Sequence, residues 1–476
     1  MQNMKVKVMT LAVLGALSVA GCNSGSSSTP TGTSAALART GVITGFGSVF
    51  VNGVEYQSSS ATVKANGVAA DESKLAVGMV VKLKGSVNAD GKTGTALDIS
   101  YADELHGIVQ AVAVVAGKGT LTVMGQTVNV DAVTVFESKV AAITSMDMIV
   151  IGNILEVSGY TAGDGNIYAT RVEVKKTAMS SGDEIELKGL IASLDSTAKM
   201  FLIGNQSIDY SAANLGDIPN GTLVNDMYVE VKSTQGFNSS NVLLASKVEL
   251  DGDGKNGVDA TTGEDLELEG VVTHVASSTE FILNDQVVLL TDTTMFEHGT
   301  SASIAKGMRL EVEGAMNVDH KLAADKVKFR EESNIEISAV VGAIDVAASS
   351  VTVLGQAIHI DNLTLLKDER DGIRYFSLKD MAVNDALEMH AYLDSSGSLV
   401  ATQLKRKSTG SNVSQLHGTV TSVAGFVVVI AGVSVDLSKA NLMAFGSVAP
   451  IAGSKVEVDG TFANNTLTAT TIQKDD

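Results

Sequence analysis

The chain has one cysteine, Cys22, and no tryptophan. A lone thiol makes no internal disulfide, so whatever folds here is held by core packing alone. Proline is nearly absent, at 3, and aromatic residues are 4% of the chain. Sugar-binding platforms built from Trp and Tyr faces are therefore poorly served. Basic charge is also short, with 34 Lys and Arg against 54 Asp and Glu, a formal net charge of -20. An acidic chain repels phosphate backbones, so on charge alone nucleic acid is excluded as a partner. The excess of acid serves solubility. What is abundant is glycine, at 46, and hydrophobic residues, at 45%, with valine throughout. That mixture fills cores and favours strands joined by glycine turns over helices.

The N-terminus carries Lys5 and Lys7 and then an apolar run from Met9 to Val19, too short to span a bilayer as a helix. The following Val19-Ala20-Gly21-Cys22 resembles the bacterial lipoprotein cleavage box. Small residues before the cut and a thiol after it are what that processing requires. The thiol takes a diacylglycerol, the freed amine is acylated, and two or more chains anchor durably. Residues 1–21 are thus read as a signal peptide and Cys22 as the lipidation site. Removing the two leader lysines makes the mature chain two units more negative, -22. Residues 22–39, rich in Ser, Thr and Gly, are read as a flexible tether. Asn23 stands where the sorting rule of many Gram-negative lipoproteins puts Asp for inner-membrane retention. By that resemblance the outer membrane is the expected address, and the membrane is one partner, through the lipid.

The rest is repetitive. A segment of form Gly-x-x-apolar-charged-apolar-x-Gly occurs at Gly78–Gly85, Gly152–Gly159, Gly307–Gly314 and Gly453–Gly460, with degenerate copies at Asp226–Ser233 and Asn384–Ala391. Its alternation is that of a strand with one buried face. A hairpin precedes each copy. Leu121–Asp131 and Val351–Asp361 align without a gap, and the first copy turns at Asn52-Gly53, a strong hairpin signal. A strand with a recurring alanine follows each copy: Ala96, Ala169, Ala245, Ala324, Ala401 and Ala469. A small residue at one point of six copies implies a tight spot between strands. Each copy opens on a short strand such as Gly41-Val-Ile-Thr or Gly418-Thr-Val-Thr, with Ala339 replacing glycine in the fifth. A short helix is expected in the variable middle, near Ser301 to Lys306 for example.

The expected fold is all-β: six tandem small closed or partly open β-barrels, OB-like, as beads on a string. Closure removes the exposed edges that a small disulfide-free sheet would leave. The domains are placed at 40–104, 105–180, 185–250, 265–333, 335–408 and 413–476, with an acidic glycine-rich linker at 251–264. The strand-turn-strand opening, the Gly-x-x-Val-Glu-Val-x-Gly segment and the Ala-x-x-Val strand resemble a bacterial domain-of-unknown-function family, DUF5666. That family occurs as tandem repeats in predicted lipoproteins. The resemblance covers roughly Gly41 to Lys474 and implies no catalytic residue.

Candidate chemistry is sparse. Gly91-Lys92-Thr93 lacks the spacing and following helix of a phosphate loop, and reads as a turn. The histidines, His106, His274, His298, His320, His359, His390 and His417, form no zinc spacing. His106 and His417 are equivalent, each just before an opening glycine. Glu264-Asp265-Leu-Glu267-Leu-Glu269 alternates, which places its acids on a solvated outer face. The best metal candidate is a calcium loop of Asp251, Asp253, Asn256 and Asp259, with glycines for a sharp turn. Lys255 and Thr262 depart from the EF-hand pattern. Calcium is accordingly the one cofactor considered, and otherwise none is expected. No catalytic set emerges. The expectation is a monomeric, non-enzymatic surface or periplasmic scaffold with an unknown protein or envelope partner. The alternative is a carbohydrate- or small-ligand-binding lipoprotein.

Overall fold

Alternating apolar residues and glycine turns produce one strand plan six times. A computed structural model describes residues 37–162, 165–251, 262–408, 413–446 and 448–475. Barrel 5 shows the plan. The opening strand Ile335–Asp345 pairs antiparallel with Ser350–Val353, which turns at Leu354-Gly355 into Gln356–His359. That second hairpin strand lies parallel to the closing strand Leu399–Lys407, which Leu365–Asp368 also joins in parallel. The closing strand runs antiparallel to the motif strand Ala386–Leu393, and the motif strand returns to the opening strand. The ring is closed, so no edge is left. Barrels 1, 2, 4 and 6 close in the same order. In barrel 3 the opening strand breaks after Leu190 and the closing strand after Leu244, so its hairpin sits in a separate small sheet.

The only helical segments among the described residues are one-turn 3-10 pieces before each motif strand, including Ser301–Ser303. Further on, at the entry to the motif strand, one residue sits in the left-handed region: Gly78, Gly152, Gly307 and Gly453 at φ of 87° to 95°. The degenerate copies put Asp226 (φ 67°) and Asn384 (φ 72°) there, residue types that tolerate this conformation. At the far end of the motif strand, the recurring alanine meets the second glycine across a bulge. Gly85 faces Ala96, Gly159 Ala169, Gly314 Ala324 and Gly460 Ala469. A Cβ on Gly314 would lie 2.0 Å from the Ala323 carbonyl oxygen, so the expected tight spot is real.

The all-β barrel reading holds, and the structure adds how the barrels meet. The described residues form one compact unit. Opening strands pair across barrels: 2 with 3 (His106 opposite Glu186, Leu105 opposite Leu187) and 5 with 6 (Glu336 opposite His417, Ile337 opposite Leu416). Both seams have the same antiparallel register. Barrels 1 and 4 pair in parallel, Arg39 opposite Glu267. The first strand thus begins at Leu37, inside the stretch read as tether, and Ala38 is buried in the core of barrel 4. Barrels 2 and 3 share one continuous core, as do 5 and 6. Further contacts tie the pairs together. Arg374 of barrel 5 stacks 3.8 Å from the Phe46 ring and donates to the carbonyl oxygens of Leu75 (2.6 Å) and Glu72 (2.5 Å) in barrel 1. Gln403 donates to the Val133 oxygen of barrel 2 at 3.1 Å.

Candidate functional site

Where three barrels converge, the connector Ala102-Asp103-Glu104 between barrels 1 and 2 floors an open cleft of about 60 Å³. Lys64 and Lys82 reach it from strands of barrel 1, and Lys188 and Tyr228 from the opening and motif strands of barrel 3. Asp251 closes the rim, with Lys188 Nζ 3.6 Å from its carboxylate. Asp103 is buried and accepts from the Tyr101 hydroxyl and from Asn66 Nδ2 at 2.8 Å. Burial, with Glu156 nearby, holds its carboxyl well above the ordinary range. Burial likewise pushes Glu104 up to about 7, against the opposing pull of the Thr161 hydroxyl and Lys188. The cleft therefore combines ammonium groups with one carboxyl, Glu104, that exchanges a proton near neutral pH. It can hold a small polar solute.

A second cluster lies in the seam between barrels 1 and 4. Carboxylate oxygens of Glu267, Glu311 and Glu313 all lie within 4.8 Å of one another. Fixed cations already meet them: Arg39 Nε on Glu267 at 2.9 Å, Lys328 on Glu313 at 2.7 Å and Arg330 on Glu311 at 2.6 Å. Asn52 Nδ2 adds a 2.7 Å bond to Glu267. With each acid so paired, the cluster is a bolt between barrels. It also corrects an expectation, because Glu267 and Glu269 are buried rather than solvated. The outer face of one barrel is the inner face of a seam.

The residues singled out by sequence are dispersed. Cys22, Asp253, Asn256 and Asp259 lie outside the described residues; of the calcium set only Asp251 is placed, in the cleft. His106 and His417 occupy equivalent positions in the two antiparallel seams. Asp103, Glu104 and Lys188 went unnoticed, because the packing of barrel 3 against barrels 1 and 2 assembles them. The one available signal was an acid pair directly before an opening strand.

The family model described as "Domain of unknown function (DUF5666)" matches residues 40–100, 106–173, 269–328, 338–405 and 417–473. The chain belongs to the DUF5666 family. Barrel 3, whose opening and closing strands are broken, lies outside these DUF5666 matches. No curated protein matches the chain. Among solved structures, Drosophila Unr CSD456 is 16% identical, with a TM-score of 0.18, covering 46% of this chain and 99% of that one. A multidomain protein with nucleic acid binding domains from Streptococcus pneumoniae is 10% identical, with a TM-score of 0.13, covering 46% and 72%. These findings correct one expectation. Net charge is the sole ground for excluding nucleic acid, and the pneumococcal chain is described by such domains, so the exclusion is withdrawn. At these scores the likenesses carry no argument about what this chain binds.

Proposed function

We propose that this DUF5666 protein is a lipoprotein held at the outer membrane through Cys22, acting as a non-enzymatic scaffold or binding module of the cell envelope. One observation carries the reading: copies of a single barrel are fused through buried seams into one body. Such a body offers similar walls at fixed spacing, which suits holding partners. The Cys22 motif supplies the address. The test is labelling with an alkyne palmitate analogue in the parent bacterium, together with cross-linking in cells. Wild type is expected to carry label and fractionate with the outer membrane, and Cys22→Ser to lose both. Retained membrane attachment in Cys22→Ser overturns the anchor. Cross-links that never join it to an envelope partner overturn the scaffold.

The cleft supports a second reading, a small-ligand-binding lipoprotein, because carboxyls and three lysines line one recess. A glycan and cell-wall pull-down with the Cys22→Ser chain separates the two. Capture that is lost in Lys188→Met favours the ligand reading.

A further inference from the structure

The seams follow an order of their own. Barrels 1 and 4 join through their opening strands, and the register that joins barrels 2 and 3 is repeated between barrels 5 and 6. The chain thus divides into two halves, barrels 1–3 and barrels 4–6, built to one plan. The 1–4 seam shows how the halves are related. Arg39, two residues before the opening Gly41, is opposite Glu267, three residues before the opening Gly270. Equivalent residues are therefore offset by one, and because side chains alternate they face opposite sides of the shared sheet. Half a turn about an axis along the strands has this effect; a simple shift leaves equivalents level and on one side. Ala38 and Glu267 are equivalent, and each reaches into the other barrel: Ala38 into the core of barrel 4, Glu267 onto Asn52 of barrel 1.

Barrels 2 and 5 obey the same relation. Their short strands Val135–Ser138 and Leu365–Asp368 are equivalent, each parallel to its own closing strand. One buried cluster holds Val135 with Leu365 and Val42 with Val271, two pairs of equivalent residues that meet at the centre. Beside it, Lys367 Nζ is 2.9 Å from the carboxylate of Glu137, its own equivalent, and donates to the Phe136 oxygen at 2.6 Å. Residues that meet their own equivalents mark the axis of an isologous interface. Within its own barrel, Glu137 stands opposite Glu173 and Lys367 opposite Lys405. Like charges in register on neighbouring strands are unfavourable, so each of these two side chains is matched to the other half and not to its own barrel. We infer that the face of barrels 1 and 2 is a dimer-type interface whose fitting partner is the face of barrels 4 and 5. The chain is then a fused dimer of three-barrel halves, and Glu137 with Lys367 selects the pairing. Two copies of the first half bring Glu137 against Glu137, and two copies of the second bring Lys367 against Lys367. Charge therefore directs unlike halves together. Departures from symmetry are local: Gln403 donates to the Val133 oxygen, while its equivalent Arg171 turns to Glu173 at 3.1 Å.

The test places a protease site between Asp251 and Thr262 of the Cys22→Ser chain, cuts it, and follows association of the halves by native mass spectrometry and analytical ultracentrifugation. The cut parent chain is expected to stay together at micromolar concentration. Lys367→Glu and Glu137→Lys each set like charges against one another and should weaken association about tenfold. Lys367→Met removes the attraction without adding repulsion and should weaken it less. Glu137→Lys combined with Lys367→Glu restores opposite charges and should return association to within about threefold of the parent. Circular dichroism of each uncut variant checks that the barrels are folded before the comparison is made. The proposal is overturned if the cut parent chain separates into free halves, or if the combined exchange is as weak as the two single changes added together.

Discussion

At the scale of single residues, two positions connect local chemistry to stability. Glu104 titrates at about 7 in the folded chain, against an ordinary value of 4.5, because burial disfavours its charged form. The folded state binds the proton more tightly, so this group's contribution is fully present below pH 4.5 and is lost as pH rises through about 7. The loss is at most about 3 kcal/mol. Denaturant midpoints at pH 5 and pH 8 should differ more for wild type than for Glu104→Gln; equal differences would refute the assignment. Gly314 is a separate case, since any side chain there meets the Ala323 carbonyl. Gly314→Val is expected to cost about 2–3 kcal/mol in a denaturant titration. The paired glycine and alanine were legible as a repeated small residue. The role of Asp226 and Asn384 was not, because a left-handed φ leaves no mark when the residue is not glycine.

Among elements, strands and turns were easier to read than their neighbours. The Asn52-Gly53 and Met124-Gly125 turns fall between the strands expected of them, since two-residue hairpins with positive φ are encoded locally. Seams are not encoded locally. Period-2 alternation separates one face of a strand from the other, yet it does not distinguish water from a second barrel. Glu267 therefore read as solvated although its side chain is 8% exposed and pairs with Arg39. Removing one partner of such a pair leaves a charge buried. Arg39→Leu should destabilise the seam by about 3–5 kcal/mol, while Arg39→Leu with Glu267→Leu should recover most of the loss. A double-mutant cycle by chemical denaturation checks this, and additive losses would mean the pair does not hold the strands. The pairing of Glu336 with His417 across barrels 5 and 6 was hidden for the same reason, although the equivalence of His106 and His417 was visible as a repeat.

For the whole molecule, the question is which piece is the cooperative unit. A repeat of some 60–70 residues without disulfides buries about 60% of its unfolded surface and is marginal alone. Here the difficulty is met by fusion. Leu416, Val420 and Val458 of barrel 6 belong to the same buried cluster as Ile335, Ile337 and Met389 of barrel 5. The register that puts Ile337 opposite Leu416 makes the two opening strands a common wall. Cutting between the barrels exposes that wall and the apolar residues behind it. A fragment of residues 334–476 is therefore expected to melt in one cooperative transition. A fragment of residues 413–476 should bind a hydrophobic dye and melt at much lower temperature or without a transition. Calorimetry on both fragments decides the matter: if the single barrel melts as sharply and as high as the pair, each repeat is its own folding unit and the shared core adds no stability.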